Sequence, residues 1–141
     1  MNQLITFTSN NTILVISILI VSLMLIYSFI GEKLRGYSSV SPVQSTQMIN
    51  RDDAIMLDVR EINEYSEGHI INSVHIPLSN LNSRMSELDK HKSQKVIVAC
   101  RSGHRSSNAC ANLKKNGFEQ VFNLSGGVMA WQNANLPLIK K

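Results

Sequence analysis

Residues 96–107 read VIVACRSGHRSS. The run Val96–Ala99 is apolar and rich in β-branched side chains, which suits a strand buried on both faces. Cys100 closes it, and Arg101-Ser102-Gly103-His104-Arg105 is too polar and turn-prone to continue it. From about Ser106 to Asn116 the pattern changes to helical spacing, with Ala109, Cys110 and Leu113 on one face and Gly117 placed at the left-handed position that stops a helix. A strand, a loop and a helix therefore follow one another without a break.

The flanks repeat the alternation. Upstream, STQMIN predicts a short helix and AIMLDV (Ala54–Val59) a central strand that closes on an acid. EINEYSEG predicts one or two helical turns ended by Gly68, Ser73–Pro77 a short strand, and LSNLNSRMSELDKHK a helix with Leu78, Leu81, Met85 and Leu88 on its apolar side. Downstream, VFNL predicts the last strand and GGVMAWQNA the last helix, with Asn135 as its left-handed cap and Pro137 forbidding continuation. Strands alternating with helices predict an α/β fold with a mostly parallel sheet, whose ligands bind at the carboxyl ends of the strands. Cys100 stands at such an end.

None of the 14 basic and 10 acidic residues among the 141 precedes Glu32, so an uncharged head is set against a charged body. The body is the size of one domain of roughly 100–150 residues. An apolar share of 43% with three prolines excludes a disordered or collagen-like chain, and two cysteines exclude a disulfide-stapled miniprotein. The net charge of +4 is dispersed and poor in aromatic company, so no nucleic-acid partner is expected. In the head, residues 13–30 are apolar around the whole helix, with serines able to bond back to the preceding turn, and are predicted to span a membrane. Residues 1–12 lack the Lys or Arg of a signal peptide and are predicted as a short extracytoplasmic tail. Lys33 and Arg35 after the span place the body in the cytoplasm, where Cys100 and Cys110 would be free thiols. Residues 31–42, small and polar around GYSSVSP, are predicted as a flexible linker, and residues 43–141 as the folded domain.

The loop after Val96–Ala99 carries the chemistry. Backbone N–H groups above a helix N-terminus converge on one anion, and Gly103 permits the curl. A thiol there is expected to be stabilised as thiolate by those amides, the helix dipole, Arg101 and Arg105. Cys110, between two alanines on an apolar helix face, reads as packing; as a resolving thiol it would have to reach disulfide geometry with Cys100. No metal site is expected, since Cys100, His104 and Cys110 offer no close ligand pair.

These residues resemble the single-domain rhodanese-like sulfurtransferases. The resemblance runs from about Val43 to Pro137 and rests on Leu57-Asp58-Val59-Arg60-Glu61, Glu67-Gly68-His69-Ile70 leading to Ile76-Pro77-Leu78, Cys100 through Ser106, and Leu124-Ser125-Gly126-Gly127-Val128 with Trp131 and Leu136-Pro137. With the apolar head, the chain looks like membrane-tethered members from Gram-negative bacteria, which implies the inner membrane. The resemblance implies a five-stranded parallel sheet flanked by helices. It also implies that Cys100 attacks a sulfane sulfur donor, thiosulfate or a persulfide, and holds the sulfur as a persulfide within Arg101, Ser102, Gly103, His104, Arg105 and Ser106. The sulfur then passes to a thiol or cyanide, with no cofactor beyond that persulfide and with a protein donor or acceptor as a further partner. Arg101 and His104 are implied to steady an anionic donor, Arg105 to pair with Asp58, and Asp58 and Arg60 to support the loop. His69 reads as structural and Trp131 as core.

Four positions depart from the family pattern. Glu64 stands where two-domain thiosulfate rhodaneses carry a substrate-binding arginine, Ile71-Asn72 replaces a frequent Pro-Gly, and Asn135 replaces a usual glycine. A cysteine phosphatase would need its arginine where this chain has Ser106, and the loop is a residue short for a tetrahedral oxyanion. The other alternative is a membrane-tethered persulfide carrier or partner-binding module with little small-molecule turnover.

Overall fold

A computed structural model describes residues 10–140, with side chains of residues 28–34 excepted. The tail expected over residues 1–12 falls, before Asn10, outside them. The chain divides into two compact units, Met1–Leu34 and Arg35–Lys141. In the first, helix α1 (Thr12–Arg35) has a Ser17 hydroxyl donating to the Leu14 carbonyl at 2.8 Å, the back-bonding expected of its serines. The expected membrane span, and with it the inner-membrane location, is corrected: among the described residues no helix is long and apolar enough to cross a membrane.

The second unit is a five-stranded sheet in the order β1-β5-β4-β2-β3, parallel throughout, from β1 (Ser38–Val40), β2 (Ile55–Asp58), β3 (Val74–His75), β4 (Lys95–Ala99) and β5 (Gln120–Leu124). Helices α2 (Pro42–Asp52), α3 (Ile62–Glu67), α4 (His104–Lys115) and α5 (Gly127–Asn133) flank it. β4 lies in the middle, and its residues alternate between two cores. Val96 and Val98 pack with Ala109, Cys110 and Leu113 of α4, whereas Ile97 and Ala99 pack with Val128 and Trp131 of α5 and with Met48 and Ile49 of α2. Burial on both faces is why that strand reads as continuously apolar.

Gly36–Pro42 is no flexible tether. Ser38–Val40 pairs with Phe122–Leu124 as an edge strand, Tyr37 and Val40 are buried, and Ser41 caps α2 in a capping box with Gln44, so the domain begins before residue 43. A three-residue edge strand that begins with two serines has too little pattern to be legible. The helix expected from Leu78 is also corrected, to short 3-10 segments at Leu78–Asn80 and Met85–His91. Ser79, Asn80, Asn82 and Ser83 compete with a helix by local bonding, as the Ser83 hydroxyl does with the Asn80 carbonyl at 2.9 Å. Leu81 and Leu88 are buried nonetheless.

Candidate active site

Cys100 leaves the sheet at the carboxyl end of β4 and is 1% exposed. Its Sγ accepts from the Gly103 amide at 3.1 Å and faces the Ser106 hydroxyl at 3.3 Å. Burial pushes the thiol up, but the Ser106 hydroxyl and the amides of Ser106, Ser102 and Gly103 outweigh it and hold Cys100 below the ordinary thiol range. The amides and a hydroxyl, more than the arginines, thus stabilise the thiolate. Gly103 sits at φ 95°, in the left-handed region.

A second segment orients the loop. The Val128 amide donates to the Cys100 carbonyl at 2.8 Å and the Met129 amide to that of Arg101 at 3.1 Å. The first two carbonyls of the loop are thereby turned onto the start of α5. This approach needs Gly127, where a Cβ would stand 2.2 Å from the Cys100 oxygen and 2.5 Å from that of Arg101. At Gly126 the close neighbour is instead Ala130 of α5 itself, whose Cβ would stand 2.6 Å from an added one.

The expected Asp58–Arg105 pair does not form. Asp58 is buried, and Arg60 meets it through Nε at 3.0 Å and Nη2 at 2.7 Å, with the Arg60 amide on Oδ1 at 3.0 Å. Arg60 also donates to the carbonyls of Glu64 at 3.2 Å and Gly68 at 2.9 Å, which ties α3 and its exit to the end of β2. With Asp58 enclosed by a nearer arginine, Arg105 makes two 2.7 Å bonds to Glu64 on α3. The Arg105 guanidinium holds the Glu64 carboxyl below the usual carboxylate range. Sequence reading missed this pair, whose partners lie on separate helices.

Arg101, Ser102 and His104 are exposed on the loop's outer side. Arg101 joins Arg60, Glu64, Glu67, Val128 and Gln132 around a cleft of about 240 Å³. Behind the loop, Ser106 lies 2.6 Å from Asn123 Oδ1 while Asn123 Nδ2 donates to the Gly103 carbonyl at 3.1 Å. Asn123 was read only as part of a strand. Its signal was a polar amide between Phe122 and Leu124 in an otherwise apolar run.

His69 is buried, bonded through Nδ1 to the Tyr65 carbonyl at 3.1 Å and stacked on the Tyr65 ring, a structural placement as expected. Cys110 is free and buried in the α4 core, where burial raises its thiol and the neighbouring Cys100 charge adds to the rise. Among the described residues, no three or more His, Cys, Asp or Glu side chains could together hold a metal ion.

Residues 41–134 match the family model described as Rhodanese-like domain. YibN of Escherichia coli K12 is 38% identical over 98 residues, spanning 69% of this chain and 68% of that protein. A protein of Allochromatium vinosum named sulfurtransferase is 36% identical over 95 residues, spanning 67% of this chain and 87% of its own. The crystal structure of a rhodanese-related protein from Thermoplasma volcanium superposes with a TM-score of 0.67 at 30% identity, covering 74% of this chain and all (100%) of the other.

Proposed function

The chain belongs to the rhodanese-like family, and from that premise we propose that it is a sulfurtransferase working through a persulfide on Cys100. The observation that carries the reading is the seat of the sulfur: Sγ at a strand end, held by the Gly103 amide and the Ser106 hydroxyl, at the start of α4. A thiolate so placed attacks the terminal sulfur of a donor, either thiosulfate or a persulfide. The Sγ–S bond forms as the donor's own bond to that sulfur breaks, and sulfite or a thiolate leaves with the bonding pair. The outer sulfur then carries the charge among the loop amides until a thiol or cyanide takes it and Cys100 departs as thiolate. Arg101 and His104, exposed beside the loop, serve as the docking charge and hydrogen-bond donor for an anionic donor. The reading requires no resident cofactor.

Intact-mass spectrometry after incubation with thiosulfate or a small-molecule persulfide tests it. One added sulfur is expected on the unaltered protein and on Cys110→Ser, and none on Cys100→Ser. Loading that survives Cys100→Ser, or no loading from either donor, overturns the assignment.

A further inference from the structure

Ser106 Oγ lies 2.6 Å from Asn123 Oδ1 and 3.3 Å from Cys100 Sγ, and one hydroxyl proton must serve both contacts. The other end of the amide settles which Asn123 atom faces Ser106. Its Nδ2 is 3.1 Å from the Gly103 carbonyl, which can only accept. Flipped, the amide would set two oxygens against each other there and bring an N–H to Ser106 at 2.6 Å, closer than such bonds run (~2.7–3.2 Å). While Cys100 is protonated, Asn123 Oδ1 therefore takes the Ser106 proton, and the hydroxyl turns its lone pairs toward the sulfur.

In that arrangement Ser106 accepts from a neutral thiol. A thiolate has no proton to give, so Ser106 can serve it only by releasing Asn123, which leaves an amide oxygen beside it without a donor. A persulfide makes no such demand. Its charge sits on the outer sulfur, one bond farther away, and the Ser106 proton stays on Asn123.

We propose that Asn123 is a positioning residue that competes with the Cys100 thiolate for the Ser106 proton, so that the hydroxyl stabilises the free thiolate less than it would alone and the loop favours the sulfur-loaded cysteine. The consequence for sulfur transfer rests on the function proposed above; the competition for one proton does not. Loading removes the free thiolate: Cys100–S⁻ and R–S–S⁻ become Cys100–S–S⁻ and R–S⁻, with one S–S bond formed and one broken. Unloading regenerates that thiolate and is the step Asn123 opposes. Few other ionisable groups bear on the sulfur. Arg105 and Cys110 on α4 are coupled to it, Arg105 being committed to Glu64, and Arg101 and His104 belong to its loop. Asp58 on β2 is closed off by Arg60, while β5 and α5 carry no ionisable side chain.

The test is the pH dependence of Cys100 alkylation by iodoacetamide in the full-length protein, for the unaltered chain, Asn123→Leu, Ser106→Ala and the double variant. Asn123→Leu is expected to move the profile to lower pH by about half to one unit, the worth of one neutral hydrogen bond. In the Ser106→Ala background it should move nothing. An unchanged or raised profile for Asn123→Leu, the result if Asn123 only braces Gly103, overturns the proposal, as does a shift that persists without Ser106. Asn123→Ala is held to the same outcomes should the leucine variant fail to fold. Alkylation needs no sulfur donor, so this inference and the sulfurtransferase reading fail independently.

Discussion

Arg60 and Arg105 end in different surroundings, and that decides what each can do. Arg60 is enclosed with Asp58, and removing either partner would leave a buried charge uncompensated, at a cost of about 3–5 kcal/mol. Arg105 and Glu64 keep 34% and 26% of their side chains exposed, so their pair contributes ~1 kcal/mol or less to stability. Its effect is on the site, because a guanidinium neutralised by Glu64 offers little attraction to a dianionic donor. With its carboxyl held low by Arg105, Glu64 stays ionised and paired until pH falls through that lowered value. Glu64→Gln should therefore lower KM for thiosulfate at neutral pH by about five-fold, what ~1 kcal/mol of attraction amounts to, and change the thermal midpoint little. Steady-state rates against thiosulfate concentration decide this, and an unchanged KM removes Glu64 from donor selection. None of this partnering was legible from sequence. Cys100 through Ser106 could be read as a site because the residues are contiguous, whereas Glu64 and Asn123 reach it through the fold.

At the scale of elements, the loop is held from two sides. The amides of Ser102 and Gly103, just before α4, and of Ser106 in its first turn face the sulfur, while the first amides of α5 take the carbonyls of Cys100 and Arg101. Gly127→Ala would place a methyl against both carbonyls at a backbone φ of 60°. Expected are a loss of about 1–3 kcal/mol in denaturant unfolding and a fall in persulfide loading larger than that loss explains, since the loop must shift. Full loading in a destabilised protein would show that the α5 contact serves stability alone. The long periodic signals, β4 with α4 and Gly117 at φ 86°, and the caps at Asn135 and Pro137, were readable because each is local. The segment after Pro77 was misread because its apolar spacing fits a helix while its serines and asparagines favour 3-10 turns.

At the scale of the molecule, the sheet sets where the domain begins. β1 closes the β5 edge, and Tyr37 and Val40 bury their side chains beneath it. Burial of an apolar side chain of that size contributes about 1.5–3 kcal/mol. A chain cut at Val43, where the family resemblance starts, loses that burial and leaves β5 as an open hydrogen-bonding edge, which invites association. A chain beginning at Arg35 keeps both. The shorter chain is expected to melt about 12 °C or more below the longer one, at roughly 4–8 °C per kcal/mol, and to form larger species as its concentration rises. Calorimetry and light scattering on the two truncations settle the matter: equal midpoints and equal sizes would mean that β1 is dispensable and that the fold is complete from residue 43.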